Sequence, residues 1–148
     1  MFDLTDKGAL VTGASGGIGG AIARALHARG ATVGLSGTRQ GPLEELAADL
    51  GGRVHVLPAN LSEADSIAQL AKDAEAAMGG VDILVNNAGL TRDGLVMRMK
   101  DEDFQDVLDV NLTAAFRLTR ALLRGMMKRK GGRIINISSI VGVTGNAG

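Results

Sequence analysis

The sequence predicts an α/β protein built on a parallel sheet with helices on both faces. Three observations carry that reading. Short apolar runs are nearly unbroken, segments of helical length alternate with them, and a glycine-dense turn lies where the first run meets the first helix. A strand buried on both faces reads as a continuous apolar run, and its parallel neighbour must be reached through a crossover helix. At 148 residues the chain is sized for one domain with a substantial core.

The elements follow in order. Residues 9–11 read as the first strand, 18–29 as a helix closed by Gly30, and 31–36 as the second strand. Residues 42–50 are helical, with Pro42 in the first turn and Gly51-Gly52 beyond the end. A third strand spans 53–58. Ser62 reads as an N-cap with an acid, Asp65, three residues on, opening a helix that runs to Met78 before Gly79-Gly80. Residues 81–85 form the fourth strand, and Asn86-Asn87-Ala88-Gly89 turns out of it. Residues 101–130 are mostly helical, 133–137 form the fifth strand, and 142–148 are a small-residue loop. Within 112–127, Leu118, Leu122 and Met126 form one apolar stripe, and Phe116, Leu123 and Met127 form another. A helix too apolar for one face is buried on two, either inside the domain or against a second subunit.

Composition removes several function classes. Sixteen basic residues balance sixteen acidic ones, so no overall charge draws the chain to nucleic acid or a membrane surface. There is no cysteine, which excludes disulfides, thiolate catalysis and cysteine-ligated zinc; no metal site is expected. The N-terminus has acids and no apolar core, unlike a signal peptide, and no apolar run reaches membrane length. A cytoplasmic protein is expected. The 22 glycines sit mostly at element ends. His27 and His55 lie far from any acid or serine in the pattern and read as structural.

The first turn carries the clearest chemistry. Gly13, Gly17 and Gly19 are spaced G-x-x-x-G-x-G between a strand and a helix. Such a turn aims free backbone N–H groups and the positive end of the helix dipole at an anion, and glycine lets a pyrophosphate approach closely. The alternative is a plain glycine-rich turn. An acid at the end of the second strand would bond a ribose 2′-hydroxyl. Leu35-Ser36-Gly37-Thr38-Arg39 has none and offers an arginine instead. That points to NADP rather than NAD, with Thr38 and Arg39 as phosphate contacts. Asn87, Ala88 and Gly89 follow the fourth strand, and Ser138 and Ser139 follow the fifth, all at the edge where open parallel sheets bind ligands. Asn111 stands inside a helical pattern, where its side chain competes with the backbone.

Together these motifs resemble the short-chain dehydrogenases/reductases, over the whole chain and in that family's order and spacing. The carriers are Thr12-Gly13-Ala14-Ser15-Gly16-Gly17-Ile18-Gly19, Asn86-Asn87-Ala88-Gly89, Asn111 in Val110-Asn111-Leu112, and Ile137-Ser138-Ser139. The resemblance implies a Rossmann-type doubly wound sheet of order 3-2-1-4-5. Residues 1–148 would be a dinucleotide-binding domain, truncated before the last strands. Residues 90–99 are similar to the bacterial 3-oxoacyl-[acyl-carrier-protein] reductases. That likeness implies NADPH reduction of a β-keto thioester in fatty acid synthesis, an acyl carrier protein as partner, and a homo-oligomer, usually a tetramer. Other short-chain reductases of small ketones, or a non-catalytic nucleotide-binding fragment, are the alternatives.

Position by position, the resemblance gives Gly13, Ser15, Gly16, Gly17, Ile18 and Gly19 to the phosphate turn. Asn60 and Leu61 would flank the adenine, and Asn87, Ala88 and Gly89 would line the nicotinamide-ribose side. Asn111 would hold a water of the proton relay, and Ser139 would polarise the substrate carbonyl. Two departures stand out. Gly16 occupies a position where NADPH-specific relatives often carry arginine. The family's catalytic Tyr-x-x-x-Lys is absent, because the sequence contains no tyrosine; alone, the chain is expected to be inactive. Lys128, Arg129, Lys130 and Arg133 form a basic cluster, either complementing a helix dipole or docking the acidic carrier.

Overall fold

The computed structural model describes residues 3–146. Strands β1 (Gly8–Thr12), β2 (Thr32–Ser36), β3 (Val54–Val56), β4 (Ile83–Asn86) and β5 (Arg133–Asn136) form a wholly parallel sheet in the order β3-β2-β1-β4-β5. The connecting helices are α1 (Gly17–Ala28), α2 (Gln40–Leu50), α3 (Ala64–Met78), α4 (Asp101–Leu108) and α5 (Ala114–Lys128), with a short α6 (Val141–Thr144) after β5. This is a Rossmann-type α/β fold. The strand order reverses between β1 and β4, which puts the topological switch point at the carboxyl ends of these two strands.

Every residue of β1 is buried, which is why its sequence is unbroken by polar groups. Alternate side chains feed two cores. Ala9 and Val11 pack with Val33, Leu35, Leu43 and Leu46 on the α1/α2 side, while Leu10 and Leu84 pack with Ile67, Leu70, Leu118 and Leu122 on the α3/α5 side. Removing a leucine from such a site costs about 2–5 kcal/mol. Small residues such as Ala23 and Ala74, both fully buried, let the helices lie close to the sheet.

The structure departs from the sequence expectations at several points. The third helix begins at Ala64 with Glu63 as its N-cap, and no side chain caps it. Asn60 organises the turn before it: its carboxamide oxygen accepts from the Ser62 N–H, its amide donates to Glu63 Oε1, and the helix starts one residue beyond the position Ser62 could cap. The long helical stretch is broken by a π turn over Asp109–Thr113. An unanticipated 3₁₀ turn forms at Val96–Arg98, and α6 occupies part of the expected 142–148 loop, whose last two residues lie outside the described ones. β5 forms at 133–136, one residue shorter than the expected 133–137, and is exposed along its length. Only β4 pairs with it among the described residues. On α5, Leu118, Leu122 and Met126 face the core, whereas Phe116, Leu123 and Met127 are exposed, so that second stripe is not packed within the described residues.

Candidate functional site

The site grows out of the end of β1. Gly13 takes φ +64° to turn the chain, and a Cβ there would stand 2.9 Å from Ala88 Cα. A Cβ on Gly19 would overlap the Gly13 carbonyl and lie 2.7 Å from Asn87 Nδ2, so α1 starts directly against the turn. Gly17 is different. A Cβ there meets no protein atom within 4 Å, so nothing in the fold itself calls for glycine. It leaves bare backbone facing open space at the N-terminus of α1. That end has Gly16 as N-cap, no side-chain cap bond and no acid in its first turn. Its orphan N–H groups and dipole suit an anion.

These turns open onto a groove of about 510 Å³ across the switch point. Gly13, Ser15, Gly16, Gly17, Ile18 and Gly19 form one wall, and Gly37, Thr38 and Arg39 follow from β2. Asn60 and Leu61 come from beyond β3, and Asn87, Ala88 and Gly89 from beyond β4, with Leu90 and Val110 at the end. Every residue that the sequence assigns to nucleotide contact therefore lines one concave surface. Among the described residues Arg39 makes no ion pair. The carboxamide of Asn60 is turned back into its own turn, its N–H donates to Ser66 Oγ and its carbonyl accepts from the Glu63 N–H. Asn60 therefore shapes the groove rim beside Leu61 with its polar groups already bonded.

The β4 side of the groove is built by hydrogen bonds between distant segments. Thr12 Oγ1 accepts from the N–H groups of Asn87 and Ala88, both at 3.0 Å, and donates to the Val85 carbonyl at 3.2 Å. Asn87 Nδ2 donates to the carbonyls of Thr12 (2.9 Å) and Gly13 (3.3 Å). Asn86, the last residue of β4 and nearly buried, donates to Asn136 Oδ1 (2.8 Å) and Thr119 Oγ1 (3.3 Å).

The family profile for short chain dehydrogenase matches residues 7–148. The chain belongs to that family. Nodulation protein G of Rhizobium sp. (strain N33) is 66% identical over the whole chain and 60% of its own length. Nodulation protein G of Rhizobium meliloti (strain 1021) is 59% identical with the same coverage. The 3-oxoacyl-[acyl-carrier-protein] reductase FabG of Vibrio harveyi is 49% identical over 99% of this chain and 60% of its own. The chain thus spans about 60% of the length of the curated relatives it matches.

In this short-chain dehydrogenase, the remaining two candidates stand outside the groove lining. Asn111 lies in the π turn, and its carboxamide bonds one neighbour twice: Oδ1 accepts from the Leu90 N–H and Nδ2 donates to the Leu90 carbonyl, each at 2.9 Å, which leaves one amide proton and one lone pair over. Its side chain therefore holds the exit of the β4 loop. Ser139 is exposed beyond the end of β5, and its Oγ accepts from the Val141 N–H at 3.3 Å. Thr12 is the residue that the sequence reading did not single out. Its place after the first strand was visible, but its bonds run to residues 73 to 76 positions away.

The basic cluster divides. Arg129 Nη2 donates to the Val81 carbonyl at 2.6 Å, and its other nitrogens lie 3.6 Å from Glu75 Oε1 and Asp82 Oδ1. Asp82 in turn accepts from the Gly8 N–H. Arg129 thus ties α5 to α3 and to the starts of β1 and β4, a structural role within the basic cluster. Lys128, Lys130 and Arg133 are exposed. All lie at the amino edge of the parallel sheet, opposite the groove.

Proposed function

We propose that the groove binds NADPH and that the chain, residues 1–148, is the nucleotide-binding part of a 3-oxoacyl-[acyl-carrier-protein] reductase acting in the cytoplasm. The observation that carries the reading is Gly17, whose bare backbone opens on the groove at an uncapped helix N-terminus. Gly13, Ser15, Gly16, Ile18 and Gly19 would complete the phosphate turn. Thr38 and Arg39 would take the 2′-phosphate, where the fold presents no acid. Asn60 and Leu61 would flank the adenine, and Asn87, Ala88 and Gly89 the nicotinamide ribose. When bound, the cofactor supplies the hydride.

The chain's own residues would orient the reactants. Ser139 would donate a hydrogen bond to the substrate carbonyl and stabilise negative charge developing there. Asn111, in a π turn of the kind common at functional sites, would hold a relay water with the polar capacity that its two bonds to Leu90 leave over. With no tyrosine in the sequence, the family's proton donor is not available within it. That observation supports a second reading, a nucleotide-binding chain without turnover of its own. The carrier protein would meet Lys128, Lys130 and Arg133, and the exposed stripe of α5 would meet another subunit of a homo-oligomer, a tetramer in the reductases.

Fluorescence titration with NADPH and NADH tests the first claim. Tighter NADPH binding is expected, with Arg39→Ala narrowing the difference. Absence of binding to either nucleotide would overturn it. Intact mass then separates the readings of turnover. A mass above that of 148 residues, with preference for a carrier-linked β-keto substrate over a free ketone, supports the reductase; the bare chain with binding and no turnover supports the second reading.

A further inference from the structure

We propose that Asn136, acting through Asn86, is a positioning residue that fixes the Ser139 segment against the groove wall of Asn87, Ala88 and Gly89. The inference rests on Ser139 serving the reaction proposed above. β5 is a weakly held strand: all its residues are exposed, and β4 is its sole strand partner among the described residues. Burial therefore does little to fix its carboxyl end, and specific bonds must.

Those bonds converge on Asn86. The register sets Asn86 opposite Asn136, the Ile137 N–H donates to the Asn86 carbonyl at 2.9 Å, and Asn86 Nδ2 donates to Asn136 Oδ1 at 2.8 Å. The second amide proton goes to Thr119 Oγ1 on α5, so the same carboxamide is anchored in the helix layer. Asn86 is nearly buried at 8% exposure, a place where an apolar residue would suffice for packing. A buried carboxamide is costly unless bonded, and its bonds then specify one arrangement. On one side of Asn86 the chain continues into Asn87, held by Thr12. On the other, three residues past Asn136, Ser139 caps the turn into α6 through the Val141 and Gly142 N–H groups. The two candidate reactive segments thus share one hinge point. The Asn136 side chain bonds Asn86 and no groove residue, so its action runs through position.

Amide hydrogen exchange on the purified chain tests this. Asn136→Leu withdraws the acceptor. It should raise exchange at Ile137, Val141 and Gly142 roughly 3–10-fold, the loss of one hydrogen bond, while β1 amides and NADPH affinity stay unchanged. Asn136→Asp keeps an acceptor oxygen and should restore protection at all three. Asn136→Ser, which shortens the side chain, provides the same comparison should the leucine variant be insoluble. Unchanged exchange at those amides, an equal rise across the sheet, or failure of aspartate to restore protection would each overturn the proposal. Failure of the NADPH reading appears separately, as absence of binding by the unsubstituted chain.

Discussion

Thr12 and Asn87 hold each other from both directions: the threonine hydroxyl accepts from the Asn87 N–H, and the Asn87 side chain donates back to the Thr12 carbonyl. With its bonds to Ala88 and Val85, the hydroxyl uses one donor and two acceptor capacities, all that a threonine has. The strand that carries the glycine turn is thereby locked to the strand that carries the opposite wall of the groove.

Thr12→Val tests that lock. Valine fills nearly the same volume but leaves the Asn87 and Ala88 N–H groups without their acceptor. Thr12 is only 2% exposed, so water does not readily replace it. A loss of about 2–4 kcal/mol in urea denaturation is expected, with NADPH binding weakened as well. Thr12→Ser should recover most of both. Unchanged stability in the valine variant would mean that the loop finds other partners.

The glycines of the turn should separate into two kinds. Gly19→Ala drives a methyl into the Gly13 carbonyl and Asn87, and should cost about 2–3 kcal/mol or more in thermal or chemical unfolding. At Gly16 a Cβ meets only the Gly13 carbonyl, at 3.4 Å, so Gly16→Arg should leave the unfolding midpoint nearly unchanged. In the same variant NADPH affinity should rise several-fold and NADH affinity should not. Equal gains for both nucleotides would place the new arginine away from the 2′-phosphate.

Much of this organisation was legible in the sequence because it is local or periodic. The strand runs, the alternation with helices and the spacing of Gly13, Gly17 and Gly19 give the parallel sheet and its first turn, while the strand order, and with it the switch point, comes from the family resemblance. What was not legible depends on distant partners. Ser62 reads as a cap, but the turn built by Asn60 starts the helix one residue later, with Glu63 at the N-cap. The π turn at Asn111 has no periodic signature, and the work of Thr12 needs β4 beside it. The sequence shows β5 as an apolar strand, but how far its Ile134 and Ile135 are covered depends on neighbours across the sheet, and they stand 37% and 43% exposed.

Arg129 carries a stability prediction that bears on carrier docking. Its bond to Val81 is charge-assisted, whereas the two ion pairs are long and partly solvated. With the side chain about one third exposed, Arg129→Ala should cost about 1–2 kcal/mol. Lys128→Ala and Lys130→Ala should each stay within about 0.5 kcal/mol. Docking is therefore to be tested by charge reversal at the two lysines. If those reversals weaken binding of a purified acyl carrier protein and spare NADPH binding, the amino edge of the sheet is the docking face. Unchanged carrier binding would remove it.

Two surfaces lead us to expect self-association, and they can be told apart. The stripe of Phe116, Leu123 and Met127 is apolar and exposed, with Met127 at 69% and Arg120 lying over the Phe116 ring at 5.1 Å. The outer edge of β5 offers unpaired backbone groups beside exposed isoleucines, a template for strand pairing. A two-fold contact through the helix stripe would be closed by symmetry and should give a defined, reversible oligomer, whereas edge pairing has no natural stop. Phe116→Glu with Met127→Glu should therefore lower the mass seen in sedimentation, with little effect on the fold because neither side chain is buried. Ile135→Lys should instead suppress open-ended aggregation and leave the defined oligomer intact. A sharp monomer at every concentration in the unsubstituted chain would show that neither surface associates.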